Sequence, residues 1–145
     1  MNLSRNKTLF FYFTNKDTFS DRLLIFLLHL AFFFKYFKDR VDQKYLQKFY
    51  DYVFRQIELD IREIGYGDQT VNKKMKIYVN LLYSIINKID KWEEFNSAQK
   101  INILRLYIDI KENNEKFLEY FEKYSDYLLK ITLNSFTKSV IDHKF

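Results

Sequence analysis

Two glycines one residue apart, Gly65 and Gly67, are the only glycines in this chain, and it has no proline. Glycine and proline are the strongest local breakers of helical structure, so residues 60–76, DIREIGYGDQTVNKKMK, mark the one place where the backbone must leave helical geometry. Ahead of them the apolar residues Leu46, Phe49, Tyr50, Val53, Ile57, Ile61 and Ile64 recur every three to four positions. Behind them Val71, Met75, Val79, Leu82, Ile86 and Ile89 do the same. That spacing puts each set on one face of a helix, so two amphipathic helices meet at a corner. Gly65 follows the last apolar position of the first helix and suits a left-handed C′ residue. Asp68 or Thr70 can accept the free amide hydrogens that open the second.

The same periodicity extends over most of the chain and predicts five helices, at about 18–39, 43–64, 71–91, 97–111 and 115–136. Asn96 followed three positions later by Gln99 has the form of a capping box for the fourth helix, whose apolar positions are Ile101, Leu104 and Ile108. In the fifth, Phe117, Phe121, Tyr124, Leu128 and Ile131 keep helical spacing. No segment reads as a sheet, and connections this short make sequential helices antiparallel neighbours. The expected architecture is an all-α, single-domain helical bundle without internal repeats, with residues 1–16 as a lead-in, 17–136 as the helical domain and 137–145 as a frayed, flexible tail.

A chain of 145 residues can bury about 70% of the surface it exposes when unfolded, so a sizeable core is available. One residue in five is aromatic, with 16 phenylalanines and 12 tyrosines. Large rings are therefore expected to fill space that aliphatic side chains occupy in most bundles, with the remainder open to contact at the surface. The absence of cysteine removes disulfides, thiol catalysis and soft-ligand zinc or iron–sulfur sites.

The segment 23–37 is apolar on nearly every face but carries His29 and Lys35, and it is shorter than the roughly 20 residues a spanning helix requires. It reads as the central helix of the bundle. Near the N-terminus, Arg5 and Lys7 precede only five apolar residues, Leu9 to Phe13, and Thr14-Asn15-Lys16-Asp17 gives no small-residue cleavage site. That pattern reads as a strand-like or helical lead-in expected to pack on the domain, and not as a secretory signal.

Catalysis finds little to work with. His143 lies near the end of the chain, and His29, set in an apolar run, reads as a neutral core histidine hydrogen-bonded to one partner. Gly65-Tyr66-Gly67-Asp68 lies between helices and lacks the preceding strand and glycine spacing of a phosphate loop. Glu112, Glu115, Glu119 and Glu122 have helical spacing, but lysines interleave them and no histidine is near, so they form a solvated face and not a metal site.

The corner also carries a resemblance. Arg62, Glu63, Gly65, Gly67, Asp68, Val71, Lys73, Lys74 and Lys76 reproduce a spaced set found in the ubiquinol-cytochrome c chaperone family, the assembly factors for cytochrome b of the respiratory bc1 complex. Upstream, Asp17-Thr18-Phe19, then Arg22 and Leu27-Leu28-His29-Leu30, are similar to that family's first core helix, which opens on an aspartate and contains a histidine. The similarity covers residues 17–89. Where family members usually place small aliphatic residues, this chain has phenylalanine, tyrosine, isoleucine, asparagine and lysine.

The resemblance implies a non-enzymatic chaperone with no cofactor and no metal, whose client is newly made cytochrome b. The wider set of implied partners comprises the ribosome surface, a second assembly factor and an anionic membrane. It implies a cytoplasmic protein, peripheral at the inner membrane, for a bacterial member, and the matrix side for a mitochondrial one. Arg62, Glu63, Asp68, Lys73, Lys74 and Lys76 are the candidate partner-binding residues, and His29, Gly65 and Gly67 the candidate structural ones.

Physically, an aromatic-rich bundle can offer a groove to an apolar client, and Lys73 and Lys76, three positions apart, share a helix face that can lie near an anionic surface. A net charge of +5 keeps an alternative open, a basic helical module that binds the ribosome or nucleic acid without sequence specificity. Most of the lysines are interleaved with acids, as on a solvated helix face. No arginine-rich recognition helix or aromatic RNA-binding signature argues for base readout.

Overall fold

The computed structural model describes residues 19–108 and 114–130. Five α-helices follow one another without a strand among these residues: α1 (Phe19–Phe37), α2 (Gln43–Glu63), α3 (Asp68–Ile89), α4 (Ser97–Tyr107) and α5 (Asn114–Lys130), with a 3₁₀ turn at Trp92–Glu94 before α4. This is the all-α, single-domain bundle that the periodicity predicts. The lead-in, Asp17, Glu112, Ile131, His143 and the tail lie outside the described residues.

Helix α1 is the axis of the bundle. Leu23, Ile25, Leu27, Leu28, Leu30, Ala31, Phe32, Phe33 and Phe37 are all buried, pointing in every direction around it, so the helix must be covered from several sides. It packs most extensively against α3 and next against α5. Sequential helices pair closely at α2 with α3 and α4 with α5, as short connections predict. The expectation fails for α1, whose main neighbour is α3 because its apolar surface exceeds what the next helix can cover. Rings fill much of this space: Phe32 meets Trp92 edge-on at 5.0 Å and stacks on Phe121 at 5.5 Å, and Phe33 stacks on Phe37 at 4.6 Å.

Helix boundaries depart from the sequence reading in three places. Helix α3 begins at Asp68 and not Val71, and its N-cap is Gly67, which makes no side-chain cap bond. Neither Asp68 nor Thr70 serves as the cap, because both lie inside the first turn; the Val71 amide opens the helix by donating to the Gly67 carbonyl at 3.0 Å. Helix α4 stops at Tyr107, with Ile108 extended and buried. The 3₁₀ turn was hidden in what reads as a plain connection, and it carries the chain's single tryptophan, Trp92, into the core at 1% exposure.

The Asn96–Gln99 capping box forms as expected, with reciprocal bonds of 2.9 and 3.0 Å. Phe117, Phe121, Tyr124 and Leu128 are buried, as their spacing requires.

Candidate functional site

The corner between α2 and α3 is turned by Gly65. Its φ is +107°, a region that side-chain-bearing residues rarely enter, and its amide donates to the Arg62 carbonyl at 3.0 Å. Gly67 has an ordinary φ of −72°, so only the first glycine is required by backbone geometry.

The charged residues of the corner divide into two groups. Arg62 reaches back to Glu58 at 3.1 Å and across the turn to Asp68, fastening the last turn of α2 to the first of α3. Asp68 and then Glu58 hold the Arg62 guanidinium above its usual pKa, and Arg62 pulls the Glu58 carboxyl below its own. Glu63 is exposed beside this clamp. Arg62 and Asp68 thus shape the corner together.

The lysines also separate. Lys73 and Lys76 are exposed and line a shallow depression with Gln69, Thr70 and Asn72, on the side of α3 opposite its buried residues Val71, Leu82, Ile85 and Ile89. Lys74 turns away, partly buried, with its ammonium over the Tyr66 ring at 4.7 Å. Lys73 and Lys76 thus share one exposed edge, and Lys74 is not on it.

His29 lies far from this edge in the chain, on the face of α1 that meets α5. It is 2% exposed. Its Nδ1 is 2.7 Å from the Ile25 carbonyl oxygen, which can only accept, so Nδ1 carries the proton; Nε2 then accepts from the Tyr120 hydroxyl at 2.7 Å. Burial lowers its pKa from 6.5 to about 4, leaving a neutral ring. The Tyr124 hydroxyl donates to the His29 carbonyl at 3.2 Å. The core histidine is as expected, with two partners where one was foreseen.

A second buried polar link joins the same two helices. The Tyr36 hydroxyl donates to Glu93 at 2.7 Å and lies 2.5 Å from the Ser125 hydroxyl. Glu93 in turn pairs with Lys35 at 3.2 Å. Desolvation and the Glu93 carboxylate push the Tyr36 pKa up, and the Tyr36 hydroxyl helps to hold the Glu93 carboxyl low against its own desolvation.

The feature that sequence reasoning allowed for but could not locate is a groove of about 210 Å³ where α1, α2 and α3 meet. Phe34, Leu46, Tyr50, Leu82, Tyr83 and Ile86 form its apolar walls, and Lys35, Lys38 and Asp90 its polar end. The rings of Tyr50 and Tyr83 lie 6.3 Å apart; burial and the Tyr83 hydroxyl push the Tyr50 pKa up to about 12. Tyr83 is 54% exposed and forms the lip. Its one signal in the sequence is an aromatic residue directly beside the core position Leu82, about 100° off the buried stripe of the same helix.

Among the described residues no cluster of three or more histidine, aspartate or glutamate side chains could hold a metal ion, and no helix is long and apolar enough to cross a membrane. Among the described residues the surface offers apolar contact at the groove, beside other exposed apolar side chains, and cationic contact at Lys73 and Lys76.

The family model described as Ubiquinol-cytochrome C chaperone matches residues 11–130, most of the chain. The chain belongs to the ubiquinol-cytochrome c chaperone family. No curated protein and no solved structure gives a match.

Proposed function

We propose that this member of the ubiquinol-cytochrome c chaperone family binds newly made cytochrome b, without catalysis, and holds it until the bc1 complex assembles. Family membership over residues 11–130 carries the reading and supports a chaperone role in bc1 assembly. The groove supplies a means. A membrane protein caught before insertion exposes apolar side chains, and the walls formed by Phe34, Tyr50, Tyr83 and Ile86 can cover one or two of them at a time, with aromatic faces that tolerate different shapes.

Lys73 and Lys76 give a second contact, toward an anionic membrane or ribosome surface. The working location is peripheral at the membrane that receives the client, on its cytoplasmic side in a bacterium and its matrix side in a mitochondrion, and a second assembly factor can share the client.

Deleting the gene tests this. The expected result is a loss of cytochrome b and of quinol–cytochrome c reductase activity, with other respiratory complexes at normal levels. Normal cytochrome b and reductase activity in the deletion strain would overturn it.

A further inference from the structure

Helix α3 carries no acid between its two ends. From Gln69 to Ile89 the sequence QTVNKKMKIYVNLLYSIINKI holds four lysines and neither aspartate nor glutamate, whereas α2 and α5 interleave acids with their bases. The two acids that bracket it are already paired, Asp68 with Arg62 and Asp90 with Lys38. Lys74 lies over the Tyr66 ring. Lys73, Lys76 and Lys88 are exposed, and none of the three is held in an ion pair among the described residues. They fall on the solvent side of the helix, spread along about 22 Å of its length.

The same side carries apolar groups. Ile77, 59% exposed, stands at one edge of the lysine strip and Tyr83, 54% exposed, at the other, about 120° apart around the helix. The flanking helices do not reverse the charge. On α2, beside the Gln47 and Tyr50 that share the groove with Tyr83, Lys44, Arg55 and Arg62 alternate with Asp51 and Glu58, and both arginines pair with Glu58. On the other flank Ser84 bonds Tyr107 of α4, a helix with Lys100 and Arg105 and no acid.

A nucleic acid would match the lysines and leave Ile77 without a partner. A folded acidic protein would need carboxylates at fixed places, whereas unpaired lysines spread along a helix ask only for diffuse negative charge. A lysine strip edged by isoleucine and tyrosine suits the interface of an anionic bilayer, with ammonium groups among the headgroup phosphates and the aliphatic chain and ring at the acyl boundary. We propose that the exposed side of α3 from Lys73 to Lys88 docks the protein on an anionic lipid bilayer, the helix parallel to the surface. The docking rests on the cationic contact proposed for Lys73 and Lys76, with lipid as its partner and Lys88, Ile77 and Tyr83 as further contacts. Because Tyr83 is also the lip of the groove, docking sets the groove mouth at the membrane interface.

The chain has no cysteine, so Ile77→Cys and Glu119→Cys each place a single environment-sensitive dye, the first on the α3 face and the second at an exposed position of α5. Vesicles of phosphatidylcholine with phosphatidylglycerol should shift the emission of the first dye to the blue and bring it within reach of nitroxide-labelled lipid, leaving the second unchanged. Vesicles of phosphatidylcholine alone should shift neither. In the unlabelled protein, Lys88→Gln and Ile77→Ser should each weaken vesicle co-sedimentation about fivefold, with helical content unchanged. No client is present in this assay, so its outcome is independent of cytochrome b levels in the deletion strain. Equal shifts at both dye positions, no shift at position 77, or equal binding to neutral and anionic vesicles would overturn the proposal. So would unchanged binding in Ile77→Ser, which would mark the partner as purely electrostatic, as ribosomal RNA would be.

Discussion

The contact of α1 with α5 and the corner between α2 and α3 both contain polar side chains tied together, yet they are held by opposite means. At the first, His29, Tyr36, Tyr120, Tyr124 and Ser125 make hydrogen bonds among packed rings. Water is excluded, so each lost bond strands a buried group. At the second, Arg62, Glu58 and Asp68 pair in solvent, where attraction is screened and offset by side-chain entropy, and the geometry rests on the backbone of Gly65. The α1–α5 contact therefore governs stability, and the corner governs shape and surface charge.

The largest expected effect is a pH dependence that comes chiefly from the buried region. His29 is held at a pKa of about 4 against an ordinary 6.5, so between these values the unfolded chain binds a proton that the folded chain does not. Stability then rises with pH across the window. The contribution is complete above about 6.5 and is lost as pH falls toward 4, on the order of 3 kcal/mol in all. Denaturant titrations at several pH values should show this slope, and His29→Gln should flatten it. Glu93, held low, acts in the same direction at more acidic pH. An unchanged slope in His29→Gln would place the pH dependence elsewhere.

Smaller effects come from the corner. Gly65→Val should cost roughly 1–2 kcal/mol, measured by thermal melting. Beyond its chain neighbours nothing lies within 4 Å of a Cβ added at Gly65, so the cost comes chiefly from φ = +107°. Gly67→Ala, with open space and φ = −72°, should be close to neutral. Equal losses at the two positions would break the distinction drawn between them.

Smallest for stability is Lys73→Glu with Lys76→Glu, which should leave melting unchanged while reducing co-sedimentation with anionic vesicles or ribosomes at low salt. If that binding persists in the folded variant, the two lysines serve only solubility. A steep fall in wild-type binding as salt rises would mark the contact as electrostatic.

The helices, the capping box at Asn96 and the turn at Gly65 were legible because they depend on local periodicity and local backbone freedom. So was the burial of His29, set in an apolar run. The N-cap of α3 was misplaced because Asp68 satisfies local rules equally well as a cap or as a first-turn residue, and the partner that decides, Arg62, lies across the turn. The position of Lys74, whose ammonium lies over the Tyr66 ring, has the same origin, since that contact also reaches across the turn. The place and lining of the groove were invisible for a stronger reason: Phe34, Tyr50 and Tyr83 come from three helices, and no local pattern reports how those helices are set against one another.

Whether the apolar groove receives unassembled cytochrome b, as proposed, is tested most directly by a photo-crosslinking side chain in place of Tyr83, at the groove lip. The expected result is capture of newly synthesised cytochrome b in preference to an unrelated membrane protein of similar hydrophobicity, with capture lost when Ile86→Lys puts a charge into the groove wall of a protein that remains folded. Equal capture of both proteins, or capture unaffected by Ile86→Lys, would contradict it.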